Sequence, residues 1–182
     1  EKKSWNLGPG KDFVTRNDSS IIAFIRGEED PADTGIRMVG AHTDSPCLKV
    51  KPNPGIKSHG YLNLGVEVYG GVLLNPWFDR DLSIAGRVTV QNAHKKIQSV
   101  LINFDRAVAT IPSLAIHLDR EANKQRTVNP QKDIPPLLML AGEKRAFEYL
   151  LKKQIKKEHP ELEVATLLGF ELSFYNMQVT IK

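Results

Sequence analysis

His42, Thr43 and Asp44 hold the chemistry that residue type and spacing make arguable in this chain. A neutral imidazole is a good ligand for Zn²⁺. A carboxylate two residues on can accept a hydrogen bond from the N–H of the other ring nitrogen, fixing tautomer and orientation. Pro46 would stiffen the exit from such a pair. Three residues are also what a hydrogen-bonded loop pair without any metal looks like, and on them alone that is the commoner arrangement. A catalytic zinc needs three protein ligands, and a two-metal site needs more, usually with a bridging carboxylate. The other histidines, His59, His94, His117 and His159, stand in no spaced cluster with Glu or Asp. There is no His-Glu-x-x-His, no paired Cys, no Gly-x-Ser-x-Gly and no phosphate-binding glycine loop. Read from first principles, the chain holds at most part of a metal site.

Elements must position that part. Residues 12–16 and 21–26 predict two short strands joined by a turn over Asn17, Asp18, Ser19 and Ser20. A polar loop follows over 27–35. Residues 36–40 then predict a third strand, apolar enough for burial on both faces, that delivers 41–46 from its carboxyl end. Open α/β sheets place their chemistry at that end of a strand. Residues 51–60, rich in Pro, Gly and Lys, read as a linker or mobile loop and a domain boundary. Residues 63–69, 86–91 and 96–103 are strand-like, and 133–136 break the pattern. Residues 142–158 carry Ala146, Phe147, Leu150, Leu151 and Ile155 at helical spacing, stopped by His159-Pro160. Residues 163–181 alternate well enough for one or two strands.

Composition bounds the function. At 182 residues, 41% hydrophobic and 25% charged, the chain has a globular protein's composition and length for one domain or one and a half. Its apolar runs fall short of a membrane-spanning helix, and no charged-then-apolar leader is expected. The single cysteine, Cys47, rules out an internal disulfide and suits a reducing, cytoplasmic compartment. Next to the motif, it reads as an inert buried thiol. The net charge of +4 invites a nucleic-acid reading. Much of the excess is Lys152, Lys153, Lys156 and Lys157, which fit the solvated side of a helix better than a phosphate track. Neither nucleic acid nor a membrane is expected as a partner.

Several blocks occur in order: Trp5, Thr15-Arg16-Asn17, Ser20 to Phe24, Gly40 to Lys51 around the His-Thr-Asp motif, Gly65 to Gly71, Trp77 to Leu82, Ala85 to Val88, and Ile111-Pro112 with Leu114 to Leu118. The series, from about Trp5 to Gln178, resembles the aspartyl aminopeptidase family, which includes the yeast vacuolar aminopeptidase I type. These are two-zinc exopeptidases that remove N-terminal residues, acidic ones among the candidates. The resemblance implies an α/β fold: part of a mixed-sheet metallopeptidase catalytic domain with an inserted β-rich dimerisation domain. On that scheme residues 1–46 belong to the catalytic domain, 47–165 to the inserted lid and dimerisation domain, and 166–182 return toward the catalytic domain. It also implies that His42 is a zinc ligand, that Asp44 orients it, and that His117 reaches into a dimer partner's active site. The alternative for His117 is a core or interface histidine on an apolar strand. Asp79, Arg80 and Asp81 are expected at a dimer or domain interface. The chain departs from the family pattern at Ser113 and Asn176, where members often carry His and Asp. The bridging Asp, the Glu-Glu pair with the general base and the last Asp and His ligands are expected beyond Lys182, which would make the chain a portion of a zinc-dependent homo-oligomeric aminopeptidase, dimer or dodecamer, inactive by itself. The reading from another class is a non-catalytic dimerisation or assembly module.

Overall fold

Strands dominate the residues that the computed structural model describes, which are 10–16, 19–142 and 146–179. The chain divides into two units, Glu1–Ser45 and Pro46–Lys182.

In the first unit, β1 (Lys11–Arg16) and β2 (Ser20–Ile25) pair antiparallel from Lys11 opposite Ile25 to Arg16 opposite Ser20. This is the expected hairpin; two of its turn positions, 17 and 18, lie outside the described residues. Within the expected loop a single helical turn forms, α1 (Pro31–Thr34). Asp30 caps it by accepting the Ala32 N–H at 2.8 Å, and Pro31 supplies a helix-ready φ. The expected third strand does not form: residues 36–46 are irregular and exposed. An extended segment becomes a strand only when a neighbour takes its N–H and C=O groups, and β1 and β2 pair only with each other. No described residue of this unit is buried.

The second unit is a six-stranded sheet in the order β6-β5-β8-β3-β4-β7. Its strands are β3 (Cys47–Ser58), β4 (Tyr61–Tyr69), β5 (Leu82–Asn92), β6 (Ile97–Asn103), β7 (Leu137–Leu140) and β8 (Val164–Asn176). All pairings among the described residues are antiparallel, so the mixed sheet is not seen in them. The expected linker at 51–60 is largely strand. Pro52 and Pro54 fall where the β3–β4 register shifts, between Val50 and Gly55, an irregularity that tolerates residues with no N–H to donate. Nor does the chain leave this unit at 165. β8 lies between β5 and β3, paired with β5 from Val164 opposite Asn92 to Asn176 opposite Leu82, because its alternating side chains need a facing layer and its backbone needs partners.

The core lies on one sheet face, built from Leu48, Leu64, Leu82, Ile84, Val88, Val90, Leu172 and Phe174 and closed by α2 (Ala146–Glu158) through Phe147, Leu151 and Ile155. Phe147 meets Phe170 edge-on at 5.8 Å. The helix is described from Ala146 onward, with 143–145 outside the described residues, and it ends before His159-Pro160 as expected. Its carboxyl end also bonds the last residues of the edge strand β6. Gln154 Nε2 donates to the Asn103 carbonyl at 2.8 Å, and Glu158 accepts the Asn103 N–H at 3.1 Å. His159 Nε2 lies 2.8 Å from the Leu101 carbonyl, so Nε2 carries the proton.

Candidate functional site

The His-Thr-Asp motif sits in the irregular segment after α1. His42 Nδ1 lies 2.8 Å from the backbone carbonyl of Asp44 and 3.1 Å from its Oδ1. Both are acceptors, so the neutral ring carries its proton on Nδ1 and leaves the Nε2 lone pair unprotonated. Nε2 hydrogen-bonds nothing among the described residues. The His42 side chain is 80% exposed and that of Asp44 54%, so this pair is presented to the surroundings, not buried among them. Thr43 Oγ1 reaches the Ser19 carbonyl at 3.5 Å, a long contact that ties the motif loosely to the hairpin turn.

A fixed tautomer with one open nitrogen is the donor set that suits a metal-ligating histidine. It is one ligand. Among the described residues no three His, Cys, Asp or Glu side chains come together as a metal site. The fit therefore extends to His42 as a single ligand oriented by Asp44, and a complete zinc site is not formed by these residues.

His117 belongs to the other unit. Residues 116–118 form a turn, with Leu118 and Asp119 N–H both directed at the Ala115 carbonyl (2.8 and 3.2 Å). His117 is exposed and its ring hydrogen-bonds nothing among the described residues. The alternative of a core histidine on a strand is thereby removed. Leu114, Ile116 and Leu118 around it are exposed as well.

Asp79 is in the left-handed region (φ 56°), where Asp is tolerated better than most residues. Its N–H donates to the Ile111 carbonyl at 2.9 Å, and its Oδ1 accepts the Ser113 N–H at 2.8 Å. The Ser113 hydroxyl and N–H hold the Asp79 carboxyl below the usual carboxylate range; partial burial opposes this, and the Arg126 charge adds to it. The Arg126 guanidinium lies 3.8 Å over the Phe78 ring, with both Nη atoms 3.4 Å from Ser113 Oγ. Asp79 thus fastens a loop of its own chain. Nothing in the sequence pairs these residues, since 34 positions separate Asp79 from Ser113 and 13 separate Ser113 from Arg126. Cys47 is half-buried, its Sγ 3.5 Å from Ser173 Oγ.

The family model described as aminopeptidase I zinc metalloprotease (M18) matches residues 1–181. The chain belongs to the M18 family. It is 55% identical over 181 residues to a probable M18 family aminopeptidase 2 of Pseudomonas putida, covering 98% of this chain and 42% of that protein. The chain thus spans about two fifths of the length of the curated relatives it matches. Among solved structures it resembles Ape4 in a cryo-EM complex with Nbr1 (TM-score 0.80, 37% identity, 97% of this chain and 37% of that one). It also resembles Chaetomium thermophilum mApe1 (TM-score 0.74, 31% identity, 94% and 41%). A yeast mApe1 dodecamer matches at TM-score 0.67 and 27% identity over 93% of this chain and 37% of that one. The α/β character with mostly sheet agrees with these structures. No helix among the described residues is long and apolar enough to cross a membrane.

Proposed function

We propose that the protein carrying this chain is a zinc-dependent aminopeptidase that hydrolyses N-terminal residues, acidic ones included, from peptides. In this reading residues 1–46 contribute to a catalytic domain, and the β-rich unit is an inserted domain that joins copies into a dimer or a larger homo-oligomer in the cytoplasm. The observation that carries it is the His42 ring, whose Nδ1 is occupied by Asp44 and whose Nε2 is open, in a chain of the M18 family.

His42 Nε2 would hold one of two zinc ions, and Asp44 would keep the ring in the ligating tautomer and raise its basicity. When bound, the metal pair would supply polarisation of the scissile carbonyl and a water acidic enough to attack it. His117, on its exposed turn, would cross to a partner subunit's site and donate a hydrogen bond to the substrate carbonyl oxygen as negative charge develops there. The exposed Leu114, Ile116 and Leu118 around it support a covered position between copies.

The test is a subunit-mixing assay on the protein of the complete open reading frame. His42→Ala and His117→Ala homo-oligomers should each hydrolyse aminoacyl anilides at about 1% of wild type or less. Unfolding and reassembling them together should regain activity, because some sites then combine an intact His42 with a partner's intact His117. The 182-residue chain with added Zn²⁺ should be inactive, since its described residues supply one ligand. Wild-type activity in His42→Ala would overturn the reading. If the complete protein has no peptidase activity yet assembles, the assembly-module reading replaces it.

A further inference from the structure

The aromatic and charged cluster after β4 has so far no part in the function. Phe78 and Asp79 lie at the neck of a loop from Ser113 to Arg126. Both ends of this loop are caught: Ser113 by the Asp79 carboxylate, Arg126 by the face of Phe78 and by Ser113 Oγ. Just before the loop, Ile111 is buried and accepts the Asp79 N–H, so the same residue grips the chain through backbone and side chain. Between its two ends the loop is a succession of turns, closed by hydrogen bonds such as Ala122 N–H to Asp119 and Gln125 N–H to Glu121. No strand pairs with it. With Asn75 it walls a half-open pocket of about 340 Å³, lined by Ser113, Ile116, Asp119 and Arg126 among others. His117 stands between two of those residues. A loop with neither ladder hydrogen bonds nor a filled interior owes its shape to its neck.

The geometry points to Asp79 and Arg126 as positioning residues that set where His117 is presented, acting through the Ser113–Arg126 loop and touching no substrate themselves. The inference rests on the role proposed for His117. An Arg is suited to the neck because its plane stacks on Phe78 while its edge donates to Ser113, which Lys cannot do together. Asp79 is suited because it tolerates a positive φ and offers an acceptor to the Ser113 N–H. An exposed hydrogen-bonding side chain needs about an ångström of error to cost a large factor in rate.

The experiment is a double-mutant cycle in the full-length protein, reading kcat and KM for Asp79→Ala and Arg126→Lys, each with and without His117→Ala. Asp79→Gly, which keeps a backbone free to take the positive φ but removes the acceptor for the Ser113 N–H, carries the cycle if Asp79→Ala does not fold. Asp79→Ala is expected to lower kcat about tenfold with a smaller change in KM. Its cost should shrink to less than about twofold once His117 is absent, because a misplaced group that has been removed cannot be misplaced further. Arg126→Lys should show the same pattern at a smaller size. Equal fold losses in both backgrounds would overturn the positioning role while leaving His117 catalytic. A His117→Ala variant with wild-type kcat/KM would instead overturn the role proposed for His117, and the inference with it.

Discussion

Val39 and Val88 are the same residue type in equally apolar surroundings of sequence, and the structure treats them in opposite ways. Val39, in the segment after α1, is 101% exposed, as open as in an extended chain; Val88, in β5, is fully buried. Around Val88 the neighbours β6 and β8 take the backbone groups on both sides, and α2 and the opposing side chains cover the face. Around Val39 no strand is paired. Apolar runs therefore nominate strands, and hydrogen-bonding neighbours with a facing layer elect them. The candidate site divides along the same line: His42 lies on the unpaired segment, and the unit with the buried core carries His117 within a loop fastened at both ends.

The largest break in this comparison comes from Gly86, at the centre of the paired region. It has φ 148°, and a Cβ there would overlap the Glu171 carbonyl oxygen and press on Leu172 Cα. Neither contact can give, as both belong to the backbone of the adjoining strand. Gly86→Ala should lose about 3 kcal/mol or more, seen in urea unfolding or as failure to fold. Next comes the valine pair itself. Val88→Ala should cost about 2 kcal/mol through lost burial and a cavity, and Val39→Ala less than about 0.5 kcal/mol. Comparable losses at both positions would show residues 36–40 to be held in a packed sheet, contrary to the contrast drawn above.

These two positions also explain what the sequence could and could not convey. The hairpin, β4 to β6 and the body of α2 are legible because each has a strong local signal: β-branched alternation between turn residues, or apolar residues three and four apart. β7 escapes because four residues behind Pro135-Pro136 are too few for a period to register. The middle of β3 is misread because its prolines and glycine mimic a linker, when the register shift opposite β4 accommodates them. At the site, the His42–Asp44 contact is legible since a carboxylate two residues away has few other places to go. The neck of the His117 loop is illegible for the converse reason. Its members meet only after the sheet has brought residues 79, 113 and 126 together.

Smaller effects sharpen the account of what holds the second unit together. Gln154 and Glu158 bond the last residue of β6, so Gln154→Ala should cost about 1 to 2 kcal/mol by leaving the Asn103 carbonyl without its donor. Faster amide exchange confined to β6 and α2 would accompany it. Ser83 lies opposite in sign: it is fully buried in β5, and its Oγ hydrogen-bonds nothing among the described residues. Ser83→Ala removes an unsatisfied hydroxyl and should leave stability unchanged or raise it by up to about 1 kcal/mol. A clear loss would reveal a partner for that hydroxyl.

The smallest expected effect is a pH dependence at Asp79. Its folded carboxyl titrates below the ordinary carboxylate value of 3.8, first because of the Ser113 hydrogen bonds and then the Arg126 charge. A depressed folded pKa means that the unfolded chain binds the proton more readily, so acid favours unfolding. The stabilisation from Asp79 is then complete above the unfolded value and fades as pH falls past 3.8 and through the folded value. Solvent screening at this exposed side chain keeps it modest. Asp79→Asn retains an acceptor but cannot titrate, so the melting temperatures of wild type and variant should differ most near neutral pH and converge in acid. The convergence should be steeper at low salt, where the Arg126 charge is less screened. A gap that stays constant down to pH 2 would assign the whole effect of Asp79 to shape and backbone conformation, and remove charge from the account of how this loop is held.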